Sequence, residues 1–184
     1  MNIGAANMEA ASLQIDRPAP LEAQPTETAW APRRVLVPLD GSSAAEAVIP
    51  FVSSLARPLG LEIALLRAVP RLVPQVTEGS RPTRVFDDME RLNQEAAAYL
   101  RGIADTLAAA GLRVSTSVRI GAAADEILAG ARECEADLIA MTTQGRGALA
   151  RLLFGTVAEA VLRQADVPVF VVRAAEAVAG KKAA

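Results

Sequence analysis

DLIAMTTQGRGALARLLFGT, residues 137–156, reads as a buried strand, a glycine-bearing loop and a hydroxyl that opens a new helix. Leu138 to Met141 form the apolar run, Gly145, Gly147 and Gly155 punctuate the stretch after it, and Thr156 stands at the next helix start. Glycines let a backbone approach an anion closely, and a helix start offers unpaired N–H groups at its positive dipole end. The stretch thus has the makings of a phosphate cradle, to which Arg146 and Arg151 add positive charge. The same glycines also suit a tight turn, and the same arginines a solvated surface.

Working outward, the pattern alternates. Val35–Leu39 is a short apolar strand that runs into Asp40. The spacing of Val48, Phe51, Val52 and Leu55 predicts a helix over 43–59, with Pro50 as a point of bending. A strand over 62–69, a loop over 70–84 carrying three prolines, and a long helix over 87–110 closed by Gly111 come next. Then come a strand over 112–120, a helix over 123–134, the strand 137–141, the glycine loop, a helix over 156–164 and a strand over 167–173. Strands alternating with helices give an α/β fold with parallel strands, right-handed crossovers and helices on both faces. In the strand 112–120, Leu112, Val114, Thr116, Val118 and Ile120 alternate with Arg113, Ser115, Ser117 and Arg119, which predicts an edge position. Residues 1–32, rich in proline and acidic side chains, read as a flexible tail, 33–173 as the domain, and 174–184 as a frayed end.

Composition narrows the chemistry. Histidine is absent, so a Ser-His-Asp triad and an ordinary His-containing zinc site are excluded. With 3% aromatic residues and a net charge of −2, there is neither a stacking surface nor a basic field for nucleic acid. No apolar run reaches the length of a membrane span. Cys134 is the one cysteine, and there is no basic-then-apolar leader, so the expected compartment is the cytoplasm.

In an open parallel sheet, ligands bind beyond the carboxyl ends of the strands, where strand order reverses. Asp40 and the glycine loop fall at two such ends. A carboxylate there usually has a task, although an Asx turn holding Gly41 and Ser42 is the simpler use. Ser43-x-x-Glu46 and Thr156-x-x-Glu159 both have the form of a capping box, in which the hydroxyl does no more than start a helix. Other nucleotide motifs are missing: there is no Gly-Lys-Ser/Thr of a Walker loop, no Gly-x-Gly-x-x-Gly, and no SGGxDS-like pattern.

VLVPLDGS (35–42), GAAADEIL (121–128) and DLIAMTTQGRGALARLLFGTVAEAVLRQADVPVFVVR (137–173) occur in that order. Together they make the chain resemble a universal stress protein over about residues 33–173. The resemblance implies a single five-stranded parallel sheet of order 3-2-1-4-5, of the adenine nucleotide alpha hydrolase-like kind. It also implies a homodimer, formed here through the apolar fifth strand, and a stress-response regulator rather than a fast enzyme, with slow or no hydrolysis. The family's nucleotide pattern Gly-x2-Gly-x9-Gly-Ser/Thr falls on Thr142, Gly145, Gly155 and Thr156, so the first glycine is replaced. The implied site comprises Pro38, Leu39, Asp40, Ala68, Met141, Thr142, Gly145, Arg146, Gly155, Thr156 and Val157. ATP, accompanied by Mg²⁺, is the implied ligand. A nucleotide-independent dimeric interaction module is the alternative that Thr142 leaves open.

Overall fold

The strands pair in parallel in the order β3-β2-β1-β4-β5 in the computed structural model, which describes residues 30–72, 83–144 and 155–174. These strands are β1 Arg34–Pro38, β2 Glu62–Val69, β3 Arg113–Ile120, β4 Leu138–Gln144 and β5 Val169–Ala174. The helices are α1 Ser43–Glu46, α2 Ile49–Leu59, α3 Thr83–Ala109, α4 Ala123–Glu133 and α5 Thr156–Gln164. Every described helix and strand lies within the unit that begins at Pro32. Residues 1–29 and 175–184, expected to be tails, lie outside the described residues, as does most of the expected loop at 73–82.

Successive side chains of a strand point to opposite faces, so a strand buried on both sides must be apolar throughout. Val35 and Val37 of β1 enter one core layer with Ile63, Leu65, Val52, Leu100 and Leu107. Leu36 enters the other, with Ala64, Leu66, Ile139, Ile127, Leu128 and Val161. Each of these larger side chains contributes about 1.5–3 kcal/mol by leaving water. Two registers fix β1 in the centre: Val35 pairs with Ile63 on one side and with Leu138 on the other. Just before β4, the Asp137 carboxylate ties the two central strands together at their starts. Its Oδ2 accepts from the amides of Arg33 at 2.7 Å and Arg34 at 3.0 Å. At the edge, β3 leaves Arg113, Ser115 and Ser117 exposed as its alternation predicts, but Thr116 is exposed with them while Arg119 is half-buried, paired with Glu126 and Glu133 of α4.

Four boundaries differ most from the sequence reading. The single helix expected over 43–59 is two, α1 and α2, separated at Ala47 and Val48. Pro50 sits in the first turn of α2, where its missing N–H costs no intrahelical bond and its fixed φ suits a helix start. The long helix begins at Thr83, inside the stretch expected to be loop. Finally, β4 runs on through Thr142, Thr143 and Gln144, which pair with Val172, Arg173 and Ala174 of β5. β5 starts at Val169, since Pro168 has no N–H to give to a ladder, and its carbonyl accepts from Ile139 instead.

Candidate functional site

The order of strands reverses between β1 and β4, because β1 connects outward to β2 while β4 connects outward to β5. A cleft of about 250 Å³ opens beyond the carboxyl ends of these two strands. This is the place where helices leaving on opposite faces diverge, and where open α/β sheets hold ligands.

The first wall comes from β1. Pro38, Leu39 and Asp40 line it, and the Leu39 amide donates to the Leu66 carbonyl at 2.8 Å, which carries the β1–β2 pairing beyond the strand's end. Asp40 is exposed, and its Oδ1 accepts from the Ser42 amide at 2.9 Å. The Asx turn is therefore present, and it uses one carboxylate oxygen. Among the described residues nothing bonds to the other. Gly41 between them has φ +90°, a conformation that side-chain-bearing residues rarely adopt. Ser42, not Ser43, starts α1, its Oγ accepting from the Ala45 amide at 3.1 Å. The capping box expected at Ser43 and Glu46 does not form, because Glu46 instead accepts from the Tyr99 hydroxyl at 2.9 Å. Burial, and then that hydrogen bond, push the Tyr99 hydroxyl's pKa up, so it stays a donor.

The second wall comes from β4 and α5. Met141 is buried and Thr142 half-buried, and both line the cleft. Gly155, Thr156 and Val157 close it at the start of α5. Gly155 is the N-cap and has no side chain with which to cap, while Thr156 already lies inside the helix. The capping box expected at Thr156 and Glu159 is likewise absent, since Glu159 pairs with Arg163 one turn on, at 2.6 Å. Thus, among the described residues, no side chain accepts from the first amides of α5, and Thr156 lines the cleft with no hydrogen-bond partner for its hydroxyl. Gly145 and Arg146 lie outside the described residues.

Between the walls, Ala68 from the end of β2 shares the floor with Ala123 and Ile127 of α4. Ala123, Ile127, Ala45 and Ala158 were not singled out in the sequence. Their one local signal is the i, i+4 spacing of Ala123 and Ile127 at the start of α4. Among the described residues the assembled cleft is apolar in its depth, carries one carboxylate, Asp40, on one rim, and has Thr156 and the uncapped start of α5 on the other. Such a surface suits a ligand with a flat apolar part and an anionic end. Among the described residues, no group of three or more Cys, Asp or Glu side chains could hold a metal ion, and no helix is long and apolar enough to cross a membrane.

Comparison with known proteins agrees with this architecture. Residues 32–173 match the model of the Universal stress protein family. Universal stress protein MJ0531 of Methanocaldococcus jannaschii is 29% identical over 143 residues, covering 77% of this chain and 82% of that protein. The solved structure of hypothetical protein MJ0577, from the same organism, superposes with a TM-score of 0.67 at 25% identity, covering 78% of this chain and 97% of that one. A universal stress protein crystallised in complex with cAMP superposes with a TM-score of 0.58 at 23% identity, covering 79% and 100%.

Proposed function

Because this chain belongs to the universal stress protein family, we propose that it is an ATP-binding, homodimeric stress-response regulator. The observation that carries the reading is the uncapped start of α5. The amides of that helix start, which no side chain caps among the described residues, and Thr156 line a cleft whose opposite rim carries Asp40. Helix-start amides stabilise phosphate oxygens, and the carboxylate oxygen of Asp40 left over from its turn is free to accept from a sugar hydroxyl or an amine. The apolar floor of Ala68, Ile127 and Met141 suits a base. Support also comes from the cAMP bound by one relative of the same fold. Since Asp40 is the one carboxylate among the described lining residues, Mg²⁺ would enter on the phosphates rather than in a cage of its own.

Hydrolysis, on this reading, is slow or absent. The chain has no histidine, and Asp40, the one carboxylate among the described lining residues, is assigned to the sugar or amine contact rather than to a base. The protein acts through its nucleotide-bound state rather than through turnover. With a single cysteine, no intrachain disulfide can form, which suits the cytoplasm. Dimerisation is assigned to β5, an edge strand that leaves Phe170 partly exposed.

One feature favours a second reading, a dimeric interaction module that needs no nucleotide. Thr142 puts a branched side chain at the cleft wall where the nucleotide pattern has glycine. Mass spectrometry of small molecules released from freshly purified protein, followed by calorimetric titration with Mg·ATP, decides between them. An adenine nucleotide released, or a titration that saturates, supports the first reading. Protein that is folded, empty and silent in the titration supports the second.

A further inference from the structure

Arg67 lies on β2 one residue before the cleft-lining Ala68, so its side chain leaves from the opposite face of the sheet. There it is held between two surfaces. On one side, its guanidinium lies against the backbone of Gly41: a Cβ at that position would stand 3.2 Å from Nη2 and 3.3 Å from Cζ. On the other, Cζ sits 5.0 Å from the centroid of the Tyr99 ring. The Tyr99 hydroxyl continues the chain of contacts to Glu46 in α1. Arg67 makes no ion pair among the described residues, so no carboxylate accounts for its place.

We infer that Arg67 is a positioning residue for the cleft, a brace that fixes the turn Asp40-Gly41-Ser42 and so sets the direction in which Asp40 meets its ligand. The turn needs such a brace. Gly41 at φ +90° has the widest conformational choice of any residue, and Asp40 and Ser42 are joined only by one exposed hydrogen bond. A planar guanidinium can lie flat on an aromatic face and on a peptide plane at once, and an ammonium cannot. Gly41 is then required twice, for its positive φ and for the space that the guanidinium occupies. The brace ties the β1 turn to β2 through Arg67 and to α3 through Tyr99, whose hydroxyl reaches back to Glu46 in α1, so two elements distant in sequence act on one carboxylate.

The inference rests on the nucleotide reading for its ligand but not for its geometry, and the experiment separates the two. Wild type, Arg67→Ala, Arg67→Lys and Tyr99→Phe are titrated with Mg·ATP, and amide hydrogen exchange over residues 40–46 is followed on the ligand-free proteins. Arg67→Ala is expected to bind about tenfold more weakly and to exchange the Ser42 and Ala45 amides faster. Arg67→Lys recovers less than half of either loss, and Tyr99→Phe, which keeps the ring, shows the smaller effect. Wild-type affinity and wild-type exchange in Arg67→Ala overturn the inference, even where the thermal midpoint falls. If wild type itself binds no ATP, the nucleotide reading fails and exchange alone decides. Faster exchange at Ser42 in Arg67→Ala then upholds the brace, and unchanged exchange removes it.

Discussion

The rings of Phe51 in α2 and Phe170 in β5 lie stacked, with centroids 4.3 Å apart and planes inclined by 6°. Each stays partly exposed, at 40% and 37%. Two large aromatic faces at an unpaired sheet edge are a surface that a partner would cover. Phe170→Lys is therefore expected to convert a dimer into monomer or aggregate, read by light scattering at micromolar concentration. A wild type that is already monomeric there contradicts the assignment of dimerisation to β5.

A second prediction concerns acid stability. The amides of Arg33 and Arg34 hold the Asp137 carboxyl below the usual carboxylate range. With the folded pKa below the unfolded one, its contribution is complete above about pH 3.9 and is lost as pH falls through the folded value. Asp137→Asn removes that contribution at neutral pH. Because the pair is half in solvent, the loss is expected to be about 1 kcal/mol, a fall of a few degrees in thermal midpoint. The gap between variant and wild type should close toward pH 3. A gap of constant size would show that the carboxylate charge plays no part.

Asp40→Asn separates the turn from the ligand contact. Asparagine keeps an oxygen to accept from Ser42, so the turn and the circular dichroism are expected to persist. Affinity for Mg·ATP is expected to fall about ten- to a hundredfold, the worth of a charge-assisted hydrogen bond. Unchanged affinity in the titration would leave Asp40 with the turn alone.

Thr142 and Gly155 are expected to respond in opposite directions. Thr142→Gly opens the cleft wall and should tighten ATP binding, at a cost in stability of about 0.5–1 kcal/mol for a glycine within β4. A Cβ at Gly155 meets nothing within 4 Å, and its φ of −66° suits any residue. Gly155→Val should accordingly leave the fold intact and remove binding by filling the approach to the α5 amides. Calorimetry with paired thermal melts reads both. If all three proteins are folded and none binds, the interaction-module reading stands.

The fold was legible because buried parallel strands must be apolar on both faces, and 35–39, 63–66 and 138–141 have no other use for that composition. The end of β4 was not, since Thr142, Thr143 and Gln144 before a glycine look like the start of a loop. Only the ladder to Val172, Arg173 and Ala174 makes them strand. The helix caps were misread for a local reason. Ser43 and Glu46 have the spacing of a capping box, but the Asp40 turn positions Ser42 to cap, and Tyr99, 53 residues away, takes Glu46. For the site, Asp40 and Gly155-Thr156 were legible because they stand at a strand end and a helix start, whereas Pro38, Leu39 and Val157 came only with the family resemblance. Arg67 was beyond reach, as its partners Gly41 and Tyr99 come together only when β1, β2 and α3 have packed.

The two margins of the sheet are unlike: β3 exposes arginine, serine and threonine, whereas β5 carries Phe170 beside Phe51. A sheet sticky along both margins could add copy after copy and grow into a fibre. Here one margin is polar and the other carries the aromatic pair, so the proposed two-fold contact through β5 would use up the apolar side of both copies and stop growth. On that reading the exposed hydroxyls and the Arg113 guanidinium of β3 would terminate the assembly, and the substitution most hazardous to solubility would be an apolar one at Ser115 or Ser117.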